Sequence, residues 1–176
     1  MKRPAIFLDR DGTLIEEVNF LSRVEDLRLF TFTAEAVRLF KDNGYLVIVV
    51  TNQSGISRGL YTEADMHAIH DQIQIELDNA IDAFYFCPHL PDSGCNCRKP
   101  NLGMIESACA DFEIDITKSW MVGDKDLDVY LGNNAELSTA FVLTGYGKEH
   151  KAILEHTPSI IADDLIDAAR QIIDFF

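Results

Sequence analysis

A run of six apolar residues at positions 45–50 places the strongest constraint on how this chain can fold. The run is Tyr-Leu-Val-Ile-Val-Val, and its β-branched residues favour an extended strand. No polar residue alternates with the apolar ones, which is typical of a strand buried on both faces. Such strands belong to parallel sheets that are covered by helices, so the run predicts an α/β fold.

The rest of the chain alternates strand-like and helix-like segments. Short apolar runs predict further strands at residues 5–8, 83–86, 119–122, 139–143 and 160–161. Apolar residues at helical spacing predict helices at residues 33–43, 101–112, 127–135 and 163–176, and another that Thr62 caps. This alternation predicts a Rossmann-like, three-layer α/β/α fold with a mostly parallel sheet.

Two segments carry more specific expectations. In the helix at residues 101–112 we expect an inward-facing set of Met104, Ile105, Ala108 and Cys109. Residues 16–29 are mixed and show no clear period, so they predict a loop, a candidate flap beside Asp9 and Asp11.

Size and charge limit the classes of function. The 176 residues suit a single domain, residues 1–176, with a substantial core. The formal charge of −14 argues against nucleic acid or an anionic membrane as a partner. A phosphorylated small molecule is compatible with this charge, because a metal and nearby cations can dominate inside a cleft. We find no membrane-length apolar run and no signal peptide, so we expect a cytoplasmic protein, and a monomer.

Polar clusters follow four of the predicted strands, at residues 9–11, 51–54, 87–89 and 123–125. In open parallel sheets, ligands bind beyond the carboxyl ends of the strands. The fold would therefore bring these four loops to one edge of the sheet.

Asp9 and Asp11 come directly after the first strand, and an extended chain would point both carboxylates the same way. Two like charges this close call for a cation, and Mg²⁺ held by carboxylates and phosphate oxygens meets that need. Asp124 is the natural third carboxylate, while Asp128 would support it or cap the helix. If the pair stood alone, an acidic turn after a buried strand would be the better interpretation.

Residues 51–59 form a segment rich in hydroxyls, amides and backbone donors. The Thr51 hydroxyl and nearby N–H groups predict a phosphate cradle, and Arg58 is a candidate contact for a second anionic group. We include Asn52, Gln53 and Ser54 as candidate substrate-binding residues. If the segment stood alone, a polar turn would be the better interpretation.

Three thiols and an imidazole, from Cys87, His89, Cys95 and Cys97, form the ligand set of a closed structural Zn²⁺ site. Several prolines and a glycine leave this segment little regular structure, and a metal would staple it. Free thiols or a disulfide are the alternatives, although a bridge between Cys95 and Cys97 would be strained. His89 is the only histidine to which we assign a role.

Cationic side chains lie beside both candidate metal sites in the sequence. Arg98 and Lys99 follow the last thiol directly and could be aimed at phosphate oxygens, Arg98 as a fork and Lys99 as a point charge. Lys125, next to Asp124, could offset the local acidity or reach a phosphate.

Together these motifs resemble those of the haloacid dehalogenase superfamily phosphatases. The matching residues are Asp9-Arg10-Asp11-Gly12-Thr13, Thr51-Asn52-Gln53, Lys99 and Gly123-Asp124. The cysteine loop, followed by Arg98-Lys99-Pro100, narrows the resemblance to a branch of heptose bisphosphate phosphatases and histidinol-phosphate phosphatases. Residues 51–59 and 98–104 are more similar to the heptose enzymes.

The resemblance implies a haloacid dehalogenase-like fold without a large cap domain and a Mg²⁺-dependent phosphatase activity. Asp9 would be the nucleophile that becomes an aspartyl-phosphate, and Asp11 the general acid and then the general base. Asp9, the backbone carbonyl of Asp11 and Asp124 would hold Mg²⁺. Thr51 and Lys99 would stabilise the transferring phosphoryl group.

The implied substrate is D-glycero-D-manno-heptose 1,7-bisphosphate, hydrolysed at its 7-phosphate, with Arg98 contributing to recognition. Residues 17–20 and 135–137 depart from the family pattern. Histidinol phosphate is the alternative substrate of the same chemistry. An alternative from another class is an inactive, zinc-stapled interaction domain, which should lack one of the four key residues, and all four are present: Asp9, Asp11, Lys99 and Asp124.

Overall fold

Six strands form one sheet in which every neighbouring pair is parallel, as the unbroken apolar runs predict. The structure, a computed structural model, describes residues 2–175. The strands are β1 (Ala5–Leu8), β2 (Leu46–Asn52), β3 (Ala83–Cys87), β4 (Trp120–Gly123), β5 (Ser138–Val142) and β6 (Ile160–Ala162). The α-helices are α1 (Thr33–Asp42), α2 (Glu63–Glu76), α3 (Gly103–Asp111), α4 (Asp126–Asn134), α5 (Gly147–Lys151) and α6 (Leu165–Ile173).

The strand order, β3-β2-β1-β4-β5-β6, determines where a ligand can bind. The chain builds outward from β1 on one side and then returns to add β4 on the other. The order therefore reverses between β1 and β4, and doubly wound sheets bind their ligands at the carboxyl ends of the strands at such a point. Asp9 follows β1 and Asp124 follows β4, so two of the predicted carboxylates lie at this point.

Alternating strand residues pack into two apolar clusters, one on each face of the sheet. Ile6 and Leu8 of β1 belong to a cluster with residues of α1, α2 and α6. Ala5 and Phe7 belong to the other cluster, with residues of α3 and α4. Both faces of β1 are thus covered, which explains its lack of polar residues and confirms the three-layer α/β/α prediction.

The predicted elements agree with the structure to within a few residues, and two differences have physical causes. Cys109 is exposed, so its predicted place in the core is wrong: the buried stripe of α3 ends at Ala108, and the next residue turns about 100° away around the helix. The short helix α5 was not predicted, because its sequence, Gly-Lys-Glu-His-Lys, carries no apolar stripe. The predicted last helix ends earlier, at Ile173, and residue 176 lies outside the described residues.

The longest connections, residues 9–32 and 88–102, are loops; the first contains a 3₁₀ helix, Val24–Asp26. Residues 16–29 therefore form a loop, as predicted, and residues 2–175 include no large cap domain. Nowhere in this range is there a helix with the length and apolar character needed to cross a membrane.

Candidate functional site

Three of the four predicted polar clusters, at residues 9–11, 51–54 and 123–125, line two adjoining cavities at the carboxyl edge of the sheet, and the cluster at residues 87–89 lines neither. The smaller cavity, of about 50 Å³, is lined by Asp9, Asp11, Thr51, Asn52, Lys99, Lys125 and Leu127. The larger is a cleft of about 230 Å³. Four residues line both cavities and therefore stand where the cavities join: Asp11, Asn52, Lys125 and Leu127.

Asp9 forms an ion pair in the buried floor of the small cavity. Lys99 Nζ lies 2.8 Å from Asp9 Oδ1 and 2.7 Å from Asp128 Oδ1, and all three side chains are nearly inaccessible to solvent. Burial alone would raise the pKa of Asp9, but the charges of Lys99 and Lys125 and a hydrogen bond from Lys99 hold it below its ordinary value. Asp9 is therefore an ionised carboxylate at neutral pH.

Asp124 is the least satisfied of the buried acids. Its Oδ2 accepts a hydrogen bond from the backbone N–H of Tyr146 at 2.8 Å, while its Oδ1 is buried without a hydrogen-bond partner. Burial, followed by the charges of Asp9 and Asp128, raises the pKa of Asp124 to about 8. Oxygens of these three carboxylates lie within 4.8 Å of one another. An orphaned oxygen among like charges is the environment that a hard divalent cation would relieve, so these residues fit Mg²⁺.

Asp128 serves the site differently from Asp124. Besides the ion pair with Lys99, its Oδ2 accepts the backbone N–H of Lys125 at the start of α4, at 3.2 Å. Both oxygens of Asp128 are thus engaged by protein donors. This agrees with the expectation that Asp128 supports the site and caps the helix.

Two glycines leave the space that the Asp124 carboxylate occupies. A Cβ on Gly12 would lie 2.3 Å from Asp124 Oδ2, and one on Gly145 would lie 2.2 Å from the same oxygen. Both glycines have positive φ angles, +84° and +53°. The Thr144 hydroxyl donates to the Gly12 carbonyl at 2.6 Å and ties the two turns together. The loop after β5 was missed by sequence reasoning, and its position at the carboxyl end of a strand was the signal that could have identified it.

The Asp11 carboxylate is directed to a different set of partners. Arg10 donates to both of its oxygens, from Nε at 3.0 Å and from Nη2 at 2.9 Å. Gln53 Nε2 donates to Asp11 Oδ2, also at 3.0 Å. In this arrangement the Asp11 side chain is separate from the cluster of Asp9, Asp124 and Asp128.

The polar loop after β2 orders the site more than its composition indicated. Gln53 Nε2 also donates to Thr51 Oγ1 at 2.8 Å, and Gln53 Oε1 accepts the Tyr61 hydroxyl. Because Thr51 Oγ1 accepts that bond, its own proton is free to be donated into the small cavity. Asn52 holds the backbone of Lys99 through both its amide atoms, at 3.0 Å and 3.3 Å. Asn52 and Gln53, predicted to bind substrate, both line the cleft, and their side chains also hold Lys99 and Asp11.

The remaining candidate substrate-binding residues surround the cleft. Ser54, Arg98 and Lys125 line it directly. Arg58 does not line it but lies over the ring of Phe20, 5.7 Å from its centre, and Phe20 does line it. Sequence reasoning assigned no role to Glu17, which also lines the cleft, with Oε2 3.7 Å from Lys125 Nζ.

The predicted zinc ligands converge at one point. Cys87 Sγ lies 3.6 Å from Cys95 Sγ and 3.5 Å from His89 Nδ1, which in turn lies 3.2 Å from Cys97 Sγ. Around a tetrahedral zinc with Zn–S bonds of about 2.3 Å, sulfur atoms stand about 3.8 Å apart. The thiols are not joined as disulfides. Ligand atoms at this spacing fit a zinc ion.

Comparisons with known proteins find similar phosphatases. A family model described as HAD-hydrolase-like matches residues 96–168. The chain is 40% identical to D-glycero-D-manno-heptose-1,7-bisphosphate 7-phosphatase of Thermosynechococcus vestitus, over 98% of this chain and 96% of that protein. It is 35% identical to the D-glycero-beta-D-manno-heptose-1,7-bisphosphate 7-phosphatase of Haemophilus ducreyi, over 95% and 97% of the two chains.

A solved structure is similar over nearly the whole length. D,D-heptose 1,7-bisphosphate phosphatase from B. bronchiseptica, complexed with magnesium and phosphate, superposes with a TM-score of 0.91. The two chains are 29% identical, and the match covers 98% of this chain and 99% of that one.

Proposed function

The chain belongs to the haloacid dehalogenase-like phosphatases, in the branch of the heptose bisphosphate phosphatases, and on that premise we propose that it hydrolyses the 7-phosphate of D-glycero-D-manno-heptose 1,7-bisphosphate. One observation carries the proposal. An ionised, buried carboxylate, Asp9, lies in a small polar cavity that opens beside a cleft lined by cations, Arg98 and Lys125 among them.

Asp9 acts as the nucleophile. Its lowered pKa keeps it anionic at neutral pH, so it needs no base before it attacks phosphorus. The bond from phosphorus to Asp9 forms as the bond from phosphorus to the sugar oxygen breaks. The aspartyl-phosphate is then hydrolysed by water.

Charge on the phosphoryl oxygens is stabilised by groups that are already in place. Lys99 Nζ and the Thr51 hydroxyl line the small cavity, and Lys125 stands at its junction with the cleft. Preorganised donors of this kind need little rearrangement as the phosphoryl group transfers. Mg²⁺, held by Asp9, Asp124 and the backbone carbonyl of Asp11, would supply further positive charge to the same oxygens as a Lewis acid.

Asp11 moves the protons. It stands where the two cavities join, and therefore between the phosphoryl group and the sugar. We assign to it the protonation of the leaving sugar oxygen and then the removal of a proton from the attacking water.

The cleft receives the rest of the substrate. Arg98 and Lys125 line it and offer positive charge to a second phosphate. A zinc ion held by Cys87, His89, Cys95 and Cys97 would have a structural role. It would hold this segment so that Arg98 and Lys99, which follow directly, reach the two cavities.

Asp9→Asn tests the assignment of the nucleophile. The change keeps the shape of the side chain but removes its charge, and we expect phosphate release to fall by at least about 1,000-fold. Asp42→Asn, the same substitution at an exposed position at the end of α1, is the matched control and should retain activity. Unchanged turnover in Asp9→Asn would refute the mechanism.

A substrate panel tests the specificity. Heptose bisphosphate and histidinol phosphate, compared at equal concentrations, should differ clearly in kcat/KM in favour of the bisphosphate, because the cleft offers cations to a second phosphate. Equal values, or a preference for histidinol phosphate, would contradict the substrate assignment while leaving the phosphatase chemistry in place.

A further inference from the structure

Arg10 is a buried cation that the proposed reaction does not itself use. It is 1% exposed, although arginine is a residue type that is rarely buried unless it is paired. Its Nε and Nη2 both donate to Asp11, and its Nη1 lies 3.2 Å from His70 Nε2. Arg10 thus joins Asp11, at the mouth of the small cavity, to a histidine on α2.

His70 can only accept in this contact. Guanidinium is a donor without an acceptor, so His70 Nε2 must carry the lone pair. Burial, then the charges of Arg10 and His67, lowers the pKa of His70 to about 3, which keeps the imidazole neutral. Because this acceptor is neutral, the contact with His70 leaves the ion pair between Arg10 and Asp11 intact.

The imidazole is itself held firmly. His70 is 4% exposed and lies on the buried side of α2 with Met66, Ile69 and Ile73. Its ring stacks on Phe84 of β3, with the ring centres 4.4 Å apart and the planes at 16°. Helix and sheet together therefore orient the Nε2 lone pair toward Arg10.

We propose that His70 is a positioning residue for the general acid and base: it orients Arg10, whose two remaining donor groups hold the Asp11 carboxylate between the phosphoryl site and the cleft. This role rests on the proposed function, because it requires Asp11 to protonate the leaving oxygen. His70 touches no substrate; it acts through Arg10.

The dependence on the leaving group distinguishes this role from a purely structural one. A sugar alkoxide needs a proton when the bond to phosphorus breaks, whereas 4-nitrophenolate leaves without one. The value of kcat/KM reports on the steps up to departure of the leaving group, and the later hydrolysis of the aspartyl-phosphate does not enter it. Misplacement of Asp11 should therefore lower kcat/KM for the sugar bisphosphate but not for 4-nitrophenyl phosphate.

The test compares three variants of the full chain with these two substrates. His70→Met nearly keeps the volume of the side chain but removes the ring nitrogen that accepts from Arg10. It should lower kcat/KM for the sugar bisphosphate by at least about 10-fold, because a general acid contributes about 10²–10⁴-fold to the rate. The value of kcat/KM for 4-nitrophenyl phosphate should fall by less than about 2-fold. His70→Gln offers an amide oxygen to Arg10 and should restore the ratio. Ile75→Met, on the exposed face of the same helix, is the control and should leave the ratio unchanged.

The ratio of the two values within one sample does not depend on the fraction of folded protein, so modest destabilisation does not obscure the result. Equal losses on both substrates, no loss on either, or a failure of His70→Gln to restore the ratio would overturn the role of His70. If His70→Met is insoluble, Arg10→Lys takes its place, because it removes the guanidinium group and with it the contact to His70. This variant should show the same selective loss on the sugar bisphosphate. Equal losses on both substrates would overturn the role of His70.

The proposed function can fail separately. Loss of both activities in Asp9→Asn supports the nucleophile whatever His70 does. A wild-type protein that is inactive on both substrates, or an Asp9→Asn variant that remains active on both, would overturn the proposed function and this role with it.

Discussion

At the scale of single residues, the site depends on glycines that lack a side chain as well as on charged groups. Asp124 occupies space that Gly12 and Gly145 leave free, and the backbone N–H of Tyr146 holds one of its oxygens. The other oxygen is left for a cation. A side chain at either glycine would push this carboxylate out of the cluster.

Gly145→Ala should therefore impair metal binding more than folding. The new Cβ would stand 2.2 Å from Asp124 Oδ2 and 2.6 Å from Gly12 Cα, and relief requires Asp124 to move. We expect the Mg²⁺ concentration that gives half-maximal activity to rise at least 10-fold, measured by titrating Mg²⁺ at saturating substrate. Gly44→Ala is the matched control: Gly44 also has a positive φ angle, +83°, but nothing lies within 4 Å of the added Cβ.

That control should cost only the conformational strain, about 1–2 kcal/mol. It should lower the melting temperature slightly and leave the Mg²⁺ titration unchanged. Identical titrations for Gly145→Ala and the wild type would show that Asp124 does not depend on the glycine.

Sequence patterns located the residues to which we assign the chemistry but not the residues that position them. The places of Asp9, Asp124 and Lys99 in the site could be predicted, because each follows a strand or a pair of metal ligands, where functional side chains are common. The roles of Asn52 and His70 could not, because their hydrogen bonds join residues 47 and 60 positions apart in the chain. Such contacts follow from sheet register and from helix rotation, which periodicity does not define to within one residue.

At the scale of elements, the loop between β3 and α3 acts as an arm that carries Lys99 to Asp9, 90 residues earlier in the chain. Its backbone is tied together by side chains: Asn101 Nδ2 donates to the Cys95 carbonyl at 2.8 Å, and Arg98 Nη1 donates to the His89 carbonyl at 3.2 Å. The sequence predicted the ligand set of this loop. It could not predict the path of the loop, because no regular element constrains it.

Loss of the metal from this loop should disable the proposed catalytic site, because the loop carries Lys99. We expect elemental analysis to find one zinc per chain in the wild type and none in Cys97→Ser. The variant should also lower kcat at least about 10-fold. Lys99 is two residues further along, and a loop organised by a metal loses its order without the ion. Excess Mg²⁺ should not restore the activity. Cys109→Ser, at the exposed cysteine outside the cluster, should retain both zinc and activity. Full activity in a zinc-free protein would contradict this account of the loop.

At the scale of the whole molecule, the apolar patterning predicts a parallel sheet but not the order of its strands. Apolar runs identify strands, and helical segments between them require parallel crossovers. Which side of β1 each crossover takes is decided by how the helices share the two faces, where α1 packs against α6 from the far end of the chain. The switch between β1 and β4, and hence the place of the site, emerges only from that packing.

The acidic site also links the stability of the whole molecule to pH and to Mg²⁺. In the magnesium-free protein the pKa of Asp124 is raised to about 8 by burial and by its acidic neighbours, and burial raises that of Asp128 to about 6 despite Lys99. Between about pH 4 and pH 8 the folded state therefore holds protons that the unfolded state has released. Stability falls wherever the folded state binds more protons and the pH rises, so the magnesium-free protein should lose stability across this window.

Mg²⁺ should reverse that loss, because it replaces the proton on Asp124 and binds only the ionised carboxylate. We expect the increase in melting temperature on adding Mg²⁺ to be larger at pH 8 than at pH 5.5, measured by thermal unfolding with the zinc left in place. Asp124→Asn, which can neither ionise nor attract the cation, is the control: its melting temperature should fall less between the two pH values and respond less to Mg²⁺. The general repulsion from a net charge of −14 is nearly the same in both proteins, so the difference between them isolates Asp124. An increase of equal size at both pH values in the wild type would mean that the cation does not compete with a proton at this carboxylate.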